Sequence, residues 1–90
     1  MSGILGVPDP EAAPSISLVP MPRLTNRLKV ARAEKSLSQE RLAELAGVTR
    51  QTISSIETGQ YVPSALLAFV LAERLQVRVD ELFTLAGDEP

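Results

Sequence analysis

From about residue 25 onward, apolar side chains recur every three or four positions, and each run is bounded by a residue suited to start or stop a helix. Leu24, Leu28 and Ala31 fall on one face of a first predicted helix, which Thr25 or Asn26 opens and which runs to about Lys35. Ser38 opens a second helix, with Leu37 and Leu42 placed as a hydrophobic staple and Leu42, Leu45 and Ala46 as the buried stripe. Gly47 is suited to the left-handed turn that ends it, and Thr49 opens a third helix reaching Thr58, with Val48 and Ile53 as its staple. Gly59 stops that helix; a loop over residues 60–63 leads to Ser64, which caps a fourth helix carrying Leu67, Val70, Leu71 and Leu75. A short fifth helix over about residues 79–85 adds Leu82 and Phe83. The pattern holds no repeat and no strand, so the expected fold is all-α, a compact five-helix bundle with short connections.

The first 22 residues read differently. Pro8, Pro10, Pro14, Pro20 and Pro22 interrupt every periodicity, which predicts an extended or disordered N-terminal arm over 1–22, a folded domain over 23–86 and an acidic tail over 87–90. Within the arm, the run from Ile16 to Val19 is apolar enough to lie along a surface or to add as a strand to another chain.

Composition removes several chemistries. The chain has neither cysteine nor histidine, so it lacks thiolate or imidazole metal ligands and the usual nucleophile and base pairings, and no cofactor or metal is expected. An enzymatic reading would need Ser54 or Ser55 as nucleophile, or Glu40 and Glu44 as acid and base, with no activating partner for either. No apolar run is long enough for a membrane span and no signal-peptide pattern opens the chain, which predicts a cytoplasmic protein. The net charge of -2 hides an asymmetry: residues 23–85 carry all nine Lys and Arg against seven acids, and seven of those cations lie between residues 23 and 50. A polyanionic partner is thereby permitted, though not demanded.

The second and third helices, joined by three residues, meet the steric needs of a helix-turn-helix. Ala43 is small where the helices must cross closely, Gly47 bends the chain, and Leu42, Ala46, Val48, Ile53 and Ile56 supply the apolar contacts that fix the angle. At roughly 100 degrees per residue, the third helix sends Ile53, Ile56 and Glu57 to one side and Arg50, Gln51, Ser54, Ser55 and Thr58 to the other. Arginine pairs with guanine and glutamine with adenine through two hydrogen bonds each, while serine is short enough to admit the groove edge. Arg50, Gln51, Ser54 and Ser55 are therefore the candidate DNA base contacts. Gln39, Thr49, Thr52, Gln60 and Tyr61 flank that helix as candidate phosphate contacts, with Arg27, Lys29, Lys35 and Arg41 ranked after them.

The stretch LKVARAEKSLSQERLAELAGVTRQTISSIETGQYVPS and the closing VDELF resemble the lambda-repressor and Cro-like helix-turn-helix family, also called XRE-like regulators, over about residues 25–85. The resemblance implies a five-helix domain, dimeric binding to operator DNA, the third helix as reader, and a buried structural ion pair between Arg32 and Glu57. Two positions depart from the family pattern. Gln76 stands where a glycine usually ends the fourth helix, and Arg78 stands where Ser or Thr usually caps the fifth, leaving Asp80 and Glu81 to offset the exposed amides through the helix dipole.

These readings converge on a transcription regulator that acts as a repressor, a homodimer on a near-palindromic double-stranded operator. The alternative is an antitoxin or anti-repressor, a protein-interaction module in which the arm or the last helix docks on a protein partner, motivated by Ile4, Leu5, Val7, Ile16, Leu18 and Val19.

Overall fold

The structure, a computed structural model, describes residues 22–86. The arm and the acidic tail expected from the sequence lie, apart from Pro22, outside the described residues. The elements run β1 (Arg23–Asn26), α1 (Leu28–Glu34), α2 (Gln39–Ala46), α3 (Arg50–Glu57), α4 (Ala65–Leu75), α5 (Val79–Leu82) and β2 (Phe83–Ala86). Leu28, Leu42, Ile53, Ile56, Leu71, Leu75 and Leu82 are completely or almost completely removed from solvent, so all five helices meet in one core. Burying a side chain of this kind is worth roughly 1.5 to 3 kcal/mol; no disulfide adds to it.

The helix starts follow from local chemistry. Ser38, Thr49 and Ser64 sit in extended backbone, and each side chain accepts the amide three residues on, from Arg41, Thr52 and Leu67 respectively. The stops share a second device. After α1, α2, α3 and α4 the chain turns through a left-handed residue, Ser36, Gly47, Gly59 and Gln76. In each case the next N–H folds back to a carbonyl five residues earlier: Leu37 to Arg32, Val48 to Ala43, Gln60 to Ser55 and Val77 to Ala72. Leu37, Val48 and Val77 then pack against the core, so three of these reversals also bury an apolar side chain.

Gln76 thus keeps the left-handed turn without a glycine, at φ 59° and ψ 41°. A side chain in that region costs roughly 1 to 2 kcal/mol, offset in part by the greater chain entropy a glycine loses on folding. Gln76→Gly should therefore raise stability by about 1 kcal/mol, a gain of several degrees in thermal unfolding for a domain of this size. A lower melting temperature would show that the contact of Lys35 Nζ with Gln76 Oε1, 3.3 Å away, outweighs the strain.

Two expectations need correction. Leu24 does not belong to the first helix, and the last helix does not reach Leu85. Instead β1 and β2 pair antiparallel, with Leu24 opposite Leu85, Thr25 opposite Thr84 and Asn26 opposite Phe83. The first helix starts at Leu28 because Asn26 takes up the chain: its Oδ1 accepts the Leu28 amide at 2.9 Å and its Nδ2 donates to Ile56 O at 2.9 Å. α5 ends after one turn because Phe83 is extended, at φ -125° and ψ 132°, and buried. The hydroxyl of Thr25 lies 2.9 Å from that of Thr84 and donates to Thr84 O at 3.2 Å, a side-chain link across the middle of the ribbon. The short, non-local pairing of these strands is what a local periodicity cannot register.

The start of α5 is also supported more directly than by the dipole. Arg78 clamps Asp80 through Nε and Nη2 at 2.9 and 2.8 Å, and these hydrogen bonds hold the Asp80 carboxyl below its usual range. The Glu81 carboxylate reaches back to the Arg78 amide at 3.5 Å. Arginine has no acceptor, so this capping is one-sided.

Candidate nucleic-acid interface

α2 and α3 are set against each other by Leu42, Ala43, Ile53 and Ile56, all buried, with Ala46 and Val48 half-buried behind them. Ala43 leaves room for the crossing, and Gly47, at φ 75° and ψ 27°, turns the chain between the helices. α3 therefore shows its other side outward. Arg50 and Gln51 are exposed, and Ser54 and Ser55 are half-buried along the same face.

The four candidate readers are differently held. Arg50 Nη1 donates to Gln39 Oε1 at 3.2 Å, and Gln51 Nε2 donates to Ser55 Oγ at 3.2 Å one turn further along. Ser54 contributes its carbonyl to Thr58, whose Oγ1 and amide both donate to it. The surface of the helix is thus a lattice of short polar groups with one long cation at its N-terminal end.

Of the candidate phosphate contacts, Thr49 is exposed and Thr52 half-buried, and their hydroxyls lie 3.0 Å apart at the start of α3. At the other end, Gln60 and Tyr61 are exposed and both backbone amides bond Ser55 O, at 2.9 and 3.2 Å. The loop after α3 is consequently fastened to the helix it follows. Gln39 differs from the others. It is half-buried, and its Nε2 donates to Glu57 Oε1 at 2.9 Å.

Beneath these groups lies an ion pair. Arg32 Nε meets Glu57 Oε2 at 2.7 Å, with side chains 15% and 5% exposed, and Arg32 Nη2 approaches Oε1 at 3.5 Å. Arg32 Nη1 also donates to Leu37 O at 2.8 Å. One guanidinium therefore joins α1, the turn before α2, and the C-terminal end of α3. No buried side-chain nitrogen or oxygen among the described residues lacks a partner.

Sequence reasoning missed three connections. Asn26 ties the ribbon to α3 through Ile56 O, Arg74 Nε donates to Leu45 O at 2.8 Å and so satisfies a terminal carbonyl of α2, and Gln39 links Glu57 to Arg50. Only the third had a signal, a glutamine at the first position of α2 with arginine at the first position of α3.

No helix among the described residues is long and apolar enough to cross a membrane, and no acidic cluster among them could hold a metal ion. The helix-turn-helix family model matches residues 28–82. An HTH-type transcriptional regulator of Methanocaldococcus jannaschii is 46% identical over 66 residues, covering 73% of this chain and 100% of that protein. One from Bacillus subtilis is 44% identical over 62 residues, covering 69% and 94%. Among solved structures, the restriction-modification controller protein C.AhdI from Aeromonas hydrophila superposes with a TM-score of 0.59 at 38% identity, over 61% of this chain and 80% of that one. With the α2-turn-α3 geometry, these similarities make the chain a member of the lambda-repressor and Cro-like, XRE-like helix-turn-helix family of DNA-binding transcription regulators.

Proposed function

We propose that the protein is a sequence-specific repressor that binds a near-palindromic operator as a homodimer, each subunit laying α3 in the major groove. The observation that carries this reading is the division of α3: Ile53 and Ile56 are fully buried, while Arg50 and Gln51 are exposed with Ser54 and Ser55 beside them. Such a helix is rigid from beneath and chemically varied above, which direct readout of base edges requires. Thr49, Thr52, Gln60 and Tyr61 lie at its two ends, where phosphate contacts would fix its depth and register. Repression follows from occupancy, since blocking a promoter needs no activating surface.

Homodimerisation is supported by economy and by surface. One module of this size reads too few bases for high specificity, and two reading helices one DNA turn apart would read an inverted repeat. α4 also turns Leu66 and Phe69, three positions apart and 75% and 61% exposed, toward solvent. Apolar side chains so placed suit coverage by a second copy.

Selection of bound sequences from a random DNA pool, followed by gel shifts across a salt series, tests the proposal. The expected site is two inverted half-sites, with affinity falling steeply as salt rises. Binding that shows no sequence preference, or no response to salt, refutes DNA reading; a single unrepeated half-site refutes the dimer.

A further inference from the structure

We infer that the outer edge of β1 is a docking site for the arm of a second copy of this chain, which adds residues 16–19 there as an antiparallel strand. Arg27 N donates to Leu82 O at 2.9 Å, in line with the pairing of Arg23 with Ala86 and of Thr25 with Thr84. The backbone groups of residues 23, 25 and 27 therefore face β2, and those of Leu24 and Asn26 face away from it. No backbone hydrogen bond from another described residue reaches Leu24 or Asn26. Such an edge is a ready template for another strand. The far edge of β2 is less open, because the Phe83 amide already bonds Val79 O. One face of the ribbon is also incompletely covered. Residues opposite one another share a face, so Leu24 and Leu85 point the same way as the buried Phe83, yet they are 36% and 68% exposed.

The chain carries a matching segment ahead of β1. Residues 15–19, between Pro14 and Pro20, are the longest stretch of the first 22 free of glycine and proline. Laid antiparallel to β1 with Leu18 opposite Leu24, the segment sets Ser17 opposite Thr25 and Ile16 opposite Asn26. Ile16 and Leu18 then fall on the face of Leu24 and Leu85, and Ser17 joins the row in which the Thr25 and Thr84 hydroxyls lie 2.9 Å apart.

The connection decides whose arm it is. A return onto its own β1 needs a tight reversal at residues 20–22, but Pro20 and Pro22 have a fixed φ and drive Val19 and Met21 into extended backbone. A three-residue hairpin requires helical and then left-handed backbone at those places, and a wider loop would consume the segment itself. Four extended residues instead carry the arm straight on from Arg23 for about 12 Å. Two such chains, antiparallel and crossing at Met21, bring each segment beside the other's β1 in the register above, as a two-fold contact does. Pro20 and Pro22 have no N–H, so the crossing itself is without rungs and the two blocks of pairing flank it.

A sequence without cysteine allows a direct test on the full chain. Ser17→Cys and Thr25→Cys would occupy a pair that exchanges no backbone hydrogen bond, where Cα atoms are roughly 4.5 Å apart and within reach of a disulfide. Mixed and mildly oxidised, these two single variants should cross-link unlike chains in roughly fivefold excess over a mixture of Leu18→Cys with Thr25→Cys, whose side chains fall on opposite faces. One chain carrying both Ser17→Cys and Thr25→Cys should oxidise to a dimer whose yield falls on dilution. Adding Leu18→Asp to Ser17→Cys should cut cross-linking roughly tenfold, because the burial of a leucine is lost, with circular dichroism confirming the fold. A double variant that oxidises as a monomer shows that the arm turns back on its own β1 and overturns the inference. Equal cross-linking by the two mixtures overturns it too. None of these measurements involves DNA, and sedimentation of wild type separates this contact from the proposed homodimer: a dimer that does not cross-link between positions 17 and 25 keeps that reading and removes only this one.

Discussion

Replacing Arg32 by methionine should lower stability by roughly 3 to 5 kcal/mol, the cost of leaving one member of a buried ion pair without the other. Glu57 is the reason. Its side chain is 5% exposed and receives two contacts from Arg32 and one from Gln39, so removing the guanidinium strands a negative charge with a single neutral donor. Leu37 O loses its partner at the same time. For a domain of this size each kcal/mol corresponds to about 4 to 8 °C in melting temperature, so the fall should exceed about ten degrees in a circular-dichroism melt. The double variant Arg32→Met with Glu57→Leu is the control. Removing both charges and filling the space with apolar atoms is often neutral or stabilising, so it should melt well above Arg32→Met alone. An Arg32→Met protein that melts within two or three degrees of wild type would show that water already compensates this carboxylate.

The ion pair also shows what could be read from the chain and what could not. Glu57 falls on the inward side of a helical wheel that also carries Ile53 and Ile56, and this alone demands a cationic partner. That the partner is Arg32 is legible only through the family resemblance, because 25 residues separate the two and no local rule spans that distance. Helix starts at Ser38, Thr49 and Ser64 were legible because each cap involves only three following residues. The Gly47 turn was legible for the same reason. The β1–β2 ribbon was not: the Thr25 and Thr84 hydroxyls that meet across it are 59 residues apart, and four-residue strands are too short to display alternation. Leu24 consequently matches the spacing of a helix to which it does not belong. Gln76 shows a different limit. Its left-handed turn is imposed by the bond from Val77 N–H to Ala72 O and by packing of Val77 on the core, so tertiary structure overrode the preference of the residue itself. At the interface, exposure of Arg50 and Gln51 followed from burial of the opposite face, whereas the bond between Arg50 and Gln39 depends on how two helices cross.

The largest effect on recognition is expected from Arg50→Ala, and its value lies in contrast with Tyr61→Phe. Arg50 stands at the first position of α3, exposed, with its guanidinium held 3.2 Å from Gln39 Oε1. A good two-bond contact to a base is worth roughly 1 to 3 kcal/mol of discrimination, so the alanine variant should lose about ten- to a hundredfold in affinity for its best site. The loss should be confined to sequences bearing the preferred base, and sites with another base at that position should bind almost as before apart from one lost charge. Tyr61 acts at a different level. It is 47% exposed, and its amide is anchored to Ser55 O, which keeps its backbone beside the C-terminal end of α3. If its hydroxyl holds a phosphate, Tyr61→Phe should weaken every sequence by a similar and smaller factor and leave the base preference unchanged. Gel shifts of both variants against the selected site and its single-base changes distinguish the two behaviours. A uniform loss for Arg50→Ala together with an altered preference for Tyr61→Phe would exchange their roles, and α3 would then meet DNA by its C-terminal end.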